Sequence, residues 1–307
     1  MDRATVLMDG FTLTEAPRWH DGRIWFDDLY RSRVCSAAED GSVLRVEAQL
    51  PSGIPVGLGW LPDGRLLVVV QDEQRIMRRE HDGSIVEHAD LSRIAKGFAN
   101  DLAITDDGVA YVGCFGFDLY AGAPVEPGPL MRVTPDGEVS VVGEPLYFAN
   151  GPTIIDGRTL VIAESFANRL SAFDILPDRS LSARRDWATF GPLPTTSDLR
   201  ERFSQAVVAA DGISCVDAEG AIWVADFTKT TASRVLPGGR IVEQVSTGDL
   251  NCFAVALGGA DGRTLFLCAA PDELDAEVHK RNPQAAILTH RVQVPAAGVN
   301  RRRHIRD

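Results

Sequence analysis

Cysteine is scarce in this chain. The 307 residues hold five, Cys35, Cys114, Cys215, Cys252 and Cys268, an odd number with no C-x-x-C pair. That excludes a disulfide-built scaffold and a thiolate zinc cluster. Most of the five sit inside apolar strand patterns and read as reduced, buried thiols, and no His or helix start is visible to activate one. Histidine is equally thin: His20, His81, His88, His279, His290 and His304 form no H-E-x-x-H or H-x-H pattern, and several fall in turn or tail contexts where solvation is expected. There is no G-x-S-x-G elbow, no Walker A loop and no dinucleotide fingerprint. No apolar run approaches the roughly 20 residues that span a bilayer. The opening Met1-Asp2-Arg3-Ala4-Thr5 lacks a basic-then-apolar secretory pattern, so a cytoplasmic protein without a membrane partner is expected. Positive charge is in deficit, 31 Lys and Arg against 43 Asp and Glu for a net charge of -12. That argues against nucleic acid as a partner and suits a cation site. The tail from about residue 292 ends Arg-Arg-Arg-His-Ile-Arg-Asp and is expected to fray at its tip.

What is present is one motif written six times: a short apolar strand, an Asp/Gly turn and a second apolar strand. The copies open at Glu15, Val56, Asn100, Asn150, Asp211 and Phe253, and their turns carry Gly22, Gly64, Gly108, Gly157, Gly220 and Gly262. The steps are near 42 to 44 residues, except for 50 and 61 in the middle. Such a period, with several short strands per unit, predicts an all-β fold, a six-bladed β-propeller over residues 1–307. One unit alone has exposed strand edges, and radial stacking buries its faces. Later strands are readable at 75–79 and 85–87, and at 130–133 and 139–142. Asp82-Gly83, Asp136-Gly137 and Gly238-Gly239 mark hairpin turns.

The two long steps locate insertions at residues 115–130 and 187–207, both rich in Gly, Pro and aromatics. Long loops beside a site serve as lids or walls, or as surface decoration. Three carboxylates recur where second strands end: Asp28 or Asp27, Glu164 and Asp226. They read first as strand-end hydrogen-bond acceptors and second as supports for ligands.

Radial repetition brings equivalent positions around one axis. Glu15, Asn100, Asn150 and Asp211 would therefore converge as two acids and two amides. These are hard oxygen donors, suited to Ca²⁺, Mg²⁺ or Mn²⁺. The alternative for any one copy is a polar cap on a solvated strand end. Val56 and Phe253 leave two copies without a donor, which is room for substrate, and Asn251 stands near the sixth start.

Glu15-Ala-Pro-Arg-Trp19, Asn100-Asp101, Asn150-Gly151 and Asp211-Gly212 resemble the signatures of the senescence-marker-protein-30, gluconolactonase and regucalcin-like family, over roughly residues 12 to 290. The resemblance implies one divalent cation, Ca²⁺ first, with Mg²⁺, Mn²⁺ or Zn²⁺ as alternatives. It implies metal binding by the residues matching Glu15, Asn150 and Asp211, with Asn100 on metal or substrate. Asp211 matches the usual general base, with water-orienting and nucleophilic roles left open. A small-molecule lactone or ester is the implied substrate, for a monomer or small homo-oligomer. Other members of the wider group hydrolyse organophosphates or form bonds, and a non-enzymatic calcium-binding propeller is a further alternative.

The sequence departs from the gluconolactonase branch where that branch carries an Arg on the sugar: here the residue is Phe98. The pattern repeats at Phe148, two residues before Asn150. Residues i and i+2 of an extended segment share a side, so both rings are expected beside the asparagines. Phe115, Phe117, Tyr147, Phe166 and Phe253 are candidates to join them, or gap fillers between blades. An aromatic wall favours an apolar or aromatic lactone. Asp118 lies where the family sometimes places an acidic substrate contact.

Overall fold

The computed structural model describes residues 1–273 and 275–298. Six sheets are built on antiparallel hairpins of successive strands, and two of them, the fifth and sixth, also take in a strand from the start of the chain. The fold is a six-bladed β-propeller, one blade per sheet. First strands are Thr14–His20, Pro55–Trp60, Ala99–Ile104, Ala149–Ile155, Ala210–Ile213 and Asn251–Gly258. Position two of these is Glu15, Val56, Asn100, Asn150, Asp211 and Cys252. In the sixth blade the equivalent of the donors is thus Cys252, not Phe253, which lies in a break of register between Cys252 and Ala254.

Burial explains the sequence pattern. Second strands such as Leu66–Val70 (LLVVV) and Ala110–Cys114 are buried at every position, so they read as continuous apolar runs. Fourth strands such as Ile85–Asp90 and Arg45–Gln49 are largely exposed and mostly polar. Two parts of the chain escaped the repeat reading. Thr5–Phe11 supplies the outer strand of the sixth blade by pairing with Ala285–Arg291, and Asp2–Arg3 adds a parallel fifth strand to the fifth blade. Val292 and Ala296 are buried, and Ala296 and Ala297 donate to the carbonyls of Gly262 and Val216. The arginine-rich 301–307 and His304 lie outside the described residues.

The chain divides into two compact units, Ala48–Asp211 and Met1–Glu47 with Gly212–Asp307. In the first, blades three and four share a core of Val109, Tyr111, Leu130, Leu146, Leu160, Ile162 and Phe173. At about 1.5–3 kcal/mol per buried side chain, this seam outweighs any single polar contact. Neighbouring blades there approach closely: a Cβ on Gly57 would stand 2.7 Å from Asp101 Cα, and one on Gly113 2.6 Å from the Ala149 carbonyl. In the second unit, Trp223, Val255, Leu257, Leu265, Leu267 and Leu288 pack the fifth blade on the sixth.

Cys35, Cys114, Cys252 and Cys268 are buried and all five cysteines are free. Burial pushes the Cys35 thiol up to about 12 and raises Cys114 and Cys268. None of these three is a nucleophile at neutral pH. His88 and His279 are buried rather than solvated, at 8% and 2% exposure. No helix of the described residues is long and apolar enough to cross a membrane.

Candidate functional site

Blades three, four and the start of five, all within Ala48–Asp211, position three of the four sequence-assigned donors. The strands of Asn100 and Asn150 break register where these residues stand, between Ala99 and Leu102 and between Asn150 and Pro152. A bulge re-aims side chains, which the alternation rule does not anticipate. Asn100, Asn150 and Asp211 are buried to 6%, 8% and 6% exposure.

Their hydrogen bonds form a relay. Asn100 Nδ2 donates to the carbonyl of Ala149, the residue before Asn150, at 3.3 Å. Asn150 Nδ2 donates to Ser165 Oγ at 3.2 Å, and Ser165 Oγ donates to the carbonyl of Ala210, the residue before Asp211, at 2.7 Å. A carbonyl only accepts, so the Ser165 proton points at Ala210. Its lone pairs must then receive the Asn150 NH₂ group. The same logic fixes Asn100. Both amide nitrogens are committed to the protein wall, which turns both Oδ1 atoms the other way. Asn150 Oδ1 accepts one bond, from Gly151 N at 2.9 Å, and retains a second lone pair.

Ser165 has no equivalent in the repeat motif and the sequence reading missed it. No residue-type pattern marks it, because its role depends on the opening strands of its own blade and of the next. Its segment carries further supports. Glu164 is fully buried and holds the entry to the Asn150 strand by accepting from Tyr147 N at 2.8 Å. Arg169 grips Glu164 through Nε at 2.7 Å and Nη2 at 3.1 Å, and Ser171 Oγ donates to the same carboxylate. Asp28 likewise accepts from Thr12 N at 3.0 Å, and Asp226 from Thr228 N at 3.1 Å. These carboxylates make strand-end hydrogen bonds.

Glu15 belongs to the other unit. It opens its strand in the same way, with Oε2 accepting from Ala16 N at 2.8 Å and Ala16 at φ 48°. Among the described residues no three His, Cys, Asp or Glu side chains gather as metal ligands. A cation here would have to draw on amide oxygens, and the relay leaves the two asparagines oriented to offer them. The donor set therefore fits a hard divalent ion.

The aromatic residues meet one another. Ring centroids are 5.6 Å apart for Phe98 and Phe115, 4.0 Å for Phe115 and Phe148, and 5.5 Å for Phe148 and Phe166. Phe117 joins Phe166 at 5.9 Å. Such contacts contribute about 0.5–1.5 kcal/mol each beyond burial. Phe148 lies at φ 56°, so the i, i+2 alternation that placed it beside Asn150 does not apply to its backbone. Phe115, Phe148 and Phe166 are buried, at 3%, 5% and 1%, so they also fill the seam between blades. Phe98 is only half-buried and meets the exposed Tyr120 at 5.2 Å. Phe253 is half-buried in the other unit. Asp118 is exposed and its Oδ1 accepts from Ala121 N at 3.0 Å, shaping the first insertion.

The two insertions join: Val125 N donates to the Ser197 carbonyl at 2.8 Å. The second contains the helix Leu199–Gln205, capped by Asp198. Asn168 ties that insertion down, donating to the carbonyls of Pro192 and Gln205 at 3.0 Å and accepting from Val207 N at 2.7 Å.

Solved structures share this architecture. A calcium-binding protein, regucalcin from Agrobacterium tumefaciens, superposes with a TM-score of 0.73 at 19% identity, covering 96% of this chain and 95% of that one. A gluconolactonase from Xanthomonas campestris gives 0.67 at 20% identity, over 93% and 89%. In sequence, regucalcin of Xenopus laevis is 23% identical over 288 residues, 91% of this chain and 90% of its own length. Residues 13–271 match the model of the SMP-30/gluconolactonase/LRE-like region, and the chain belongs to that family.

Proposed function

We propose that this chain is a divalent-cation-dependent lactonase acting on an apolar or aromatic lactone or related ester. Asn100, Asn150 and Asp211 would hold the ion. The single observation that carries the proposal is the relay through Ser165, which turns two amide oxygens outward beside an acidic strand opening. The family's gluconolactonase members and the calcium-binding regucalcin support the reaction class and Ca²⁺ as the first ion to test.

A bound divalent cation supplies Lewis-acid polarisation of the lactone carbonyl. Asp211, 6% exposed, orients the attacking water and takes its proton as the new C–O bond forms. The ring C–O bond then breaks, and the proton returns to the leaving alkoxide to give the hydroxy acid. Asn100, its amide nitrogen held by the Ala149 carbonyl, would present its oxygen to the ion. Phe98, Phe115 and Phe148 form the apolar wall, and Asp118 Oδ2 stands ready for a substrate hydroxyl.

The test is proton release against a panel running from gluconolactone to aromatic and long-chain lactones, with and without chelator. Chelator-sensitive turnover restored by one cation, faster on aromatic than on sugar lactones, is the expected result. Turnover indifferent to chelator would sink the cation's role, and no turnover on any lactone would sink the reaction class.

A further inference from the structure

Two arginines are buried among the described residues, and they differ in one respect. Arg234 is 8% exposed and pairs with Asp217 at 2.7 Å and Glu219 at 2.8 Å. Arg202 is 3% exposed and no carboxylate pairs with it among the described residues. Its Nε donates to the Thr196 carbonyl at 2.6 Å and its Nη1 to the Phe166 carbonyl at 2.6 Å. Its guanidinium lies 4.4 Å from the centre of the Tyr147 ring. A guanidinium has five N–H donors in a planar fork, so three remain uncommitted, spread over the Nη1–Nη2 end. That end is the edge that takes a carboxylate in two parallel bonds. A cation taken out of water without a counter-charge is costly, and of the two buried arginines among the described residues Arg202 is the one with no carboxylate beside it.

Arg202 is also in the right place. Phe166, whose carbonyl it holds, follows Ser165, the relay serine of Asn150 and Ala210. Its helix neighbour Phe203 meets the Phe166 ring edge-on at 5.0 Å. The second insertion thus delivers a guanidinium to the aromatic cluster from outside the repeat.

We propose that Arg202 is a specificity-determining residue that receives a carboxylate carried on the aromatic body of the substrate. The inference rests on the lactonase reading for the word substrate, but its test does not. Binding of phenylacetate and phenylacetamide, which share a body and differ in charge, is measured by calorimetry on the protein as purified, for wild type, Arg202→Gln and Arg202→Lys. Wild type is expected to prefer phenylacetate by about tenfold or more, the worth of one charge-assisted bond. Arg202→Gln abolishes the preference, and Arg202→Lys keeps part of it. Equal weakening of both probes in Arg202→Gln would mean that Arg202 only clamps the insertion, and would overturn the proposal, as would no preference in wild type. Should Arg202→Gln not fold, Arg202→Lys decides alone: an undiminished preference, or equal loss for both probes, overturns it. Hydrolysis of phthalide and phthalide-3-carboxylate separates the two readings. Carboxylate preference without any hydrolysis defeats the lactonase reading alone, and hydrolysis without charge preference defeats the role of Arg202 alone.

Discussion

Ser165→Ala tests the relay at its weakest link. The hydroxyl is fully buried and serves two partners at once, accepting from Asn150 Nδ2 at 3.2 Å and donating to the Ala210 carbonyl at 2.7 Å. Removing it strands a buried N–H and leaves a carbonyl short of one bond. Each such loss costs about 1–3 kcal/mol, so a net destabilisation of roughly 2–3 kcal/mol is expected once a water enters the vacated space. At roughly 2 °C per kcal/mol for a chain of this size, Tm should fall by about 5 °C. The functional effect is separate. Without the serine lone pair the Asn150 amide is held by the Gly151 N–H alone, and a cation there loses a firmly oriented ligand. Loss of a group that orients a ligand costs about 10–100-fold in metal affinity, or ~1.4–2.7 kcal/mol. Calorimetric Ca²⁺ titration reads the affinity, and thermal melts with and without Ca²⁺ read the linkage, since the ion raises Tm only as far as it binds the folded state. A drop in Tm with Ca²⁺ affinity within twofold of wild type would refute the reasoning: Ser165 would then be a packing residue and Asn150 no ligand.

Asp211→Asn should lower lactone hydrolysis by about 10²–10⁴-fold while some Ca²⁺ binding persists, because the amide still offers an oxygen but takes no proton; full activity in that variant removes the base role. Phe98→Arg should move the ratio of kcat/KM for gluconolactone over an aromatic lactone upward by about tenfold, a methylene-scale change in a wall of the site, and an unchanged ratio would show that Phe98 does not face substrate. Burial, and then Arg78 with Nη1 3.0 Å from Nδ1, hold the His88 imidazole below its ordinary pKa. A depressed histidine contributes stability above its unfolded pKa near 6.5, and that contribution is lost as pH falls through the folded value. Melting curves between pH 7.5 and 5 should therefore decline more steeply for wild type than for His88→Gln, and parallel curves would count against this linkage.

The propeller was legible in the chain because its signals are local. An apolar strand, an Asp-Gly turn and a second apolar strand recur whatever the rest of the molecule does, and the second strands announce double-sided burial by being apolar throughout, as Leu66–Val70 is. The residues proposed as donors share a place for the same reason, each standing second in a first strand. The reading slipped at the sixth copy, where a broken register puts Cys252 in place of Phe253, and at the chain ends. There the partner of Thr5–Phe11 lies some 280 residues away, and no local pattern can name it.

The finer parts of the site depend on such distant pairings. Ser165 matters because Ala210 and Asn150 arrive on either side of it, and Arg202 because Phe166 and Tyr147 do. Phe148 reaches its ring partners from a left-handed backbone that strand alternation does not foresee. The amino-acid sequence alone determined the repeat, the blade count and the hard-oxygen chemistry of the strand openings, since these follow from residue type and spacing. Only the tertiary structure decided which way each amide faces and which buried arginine, among the described residues, has no carboxylate beside it. Hydrogen-bond polarity and desolvation are properties of the neighbours, and the fold chooses the neighbours.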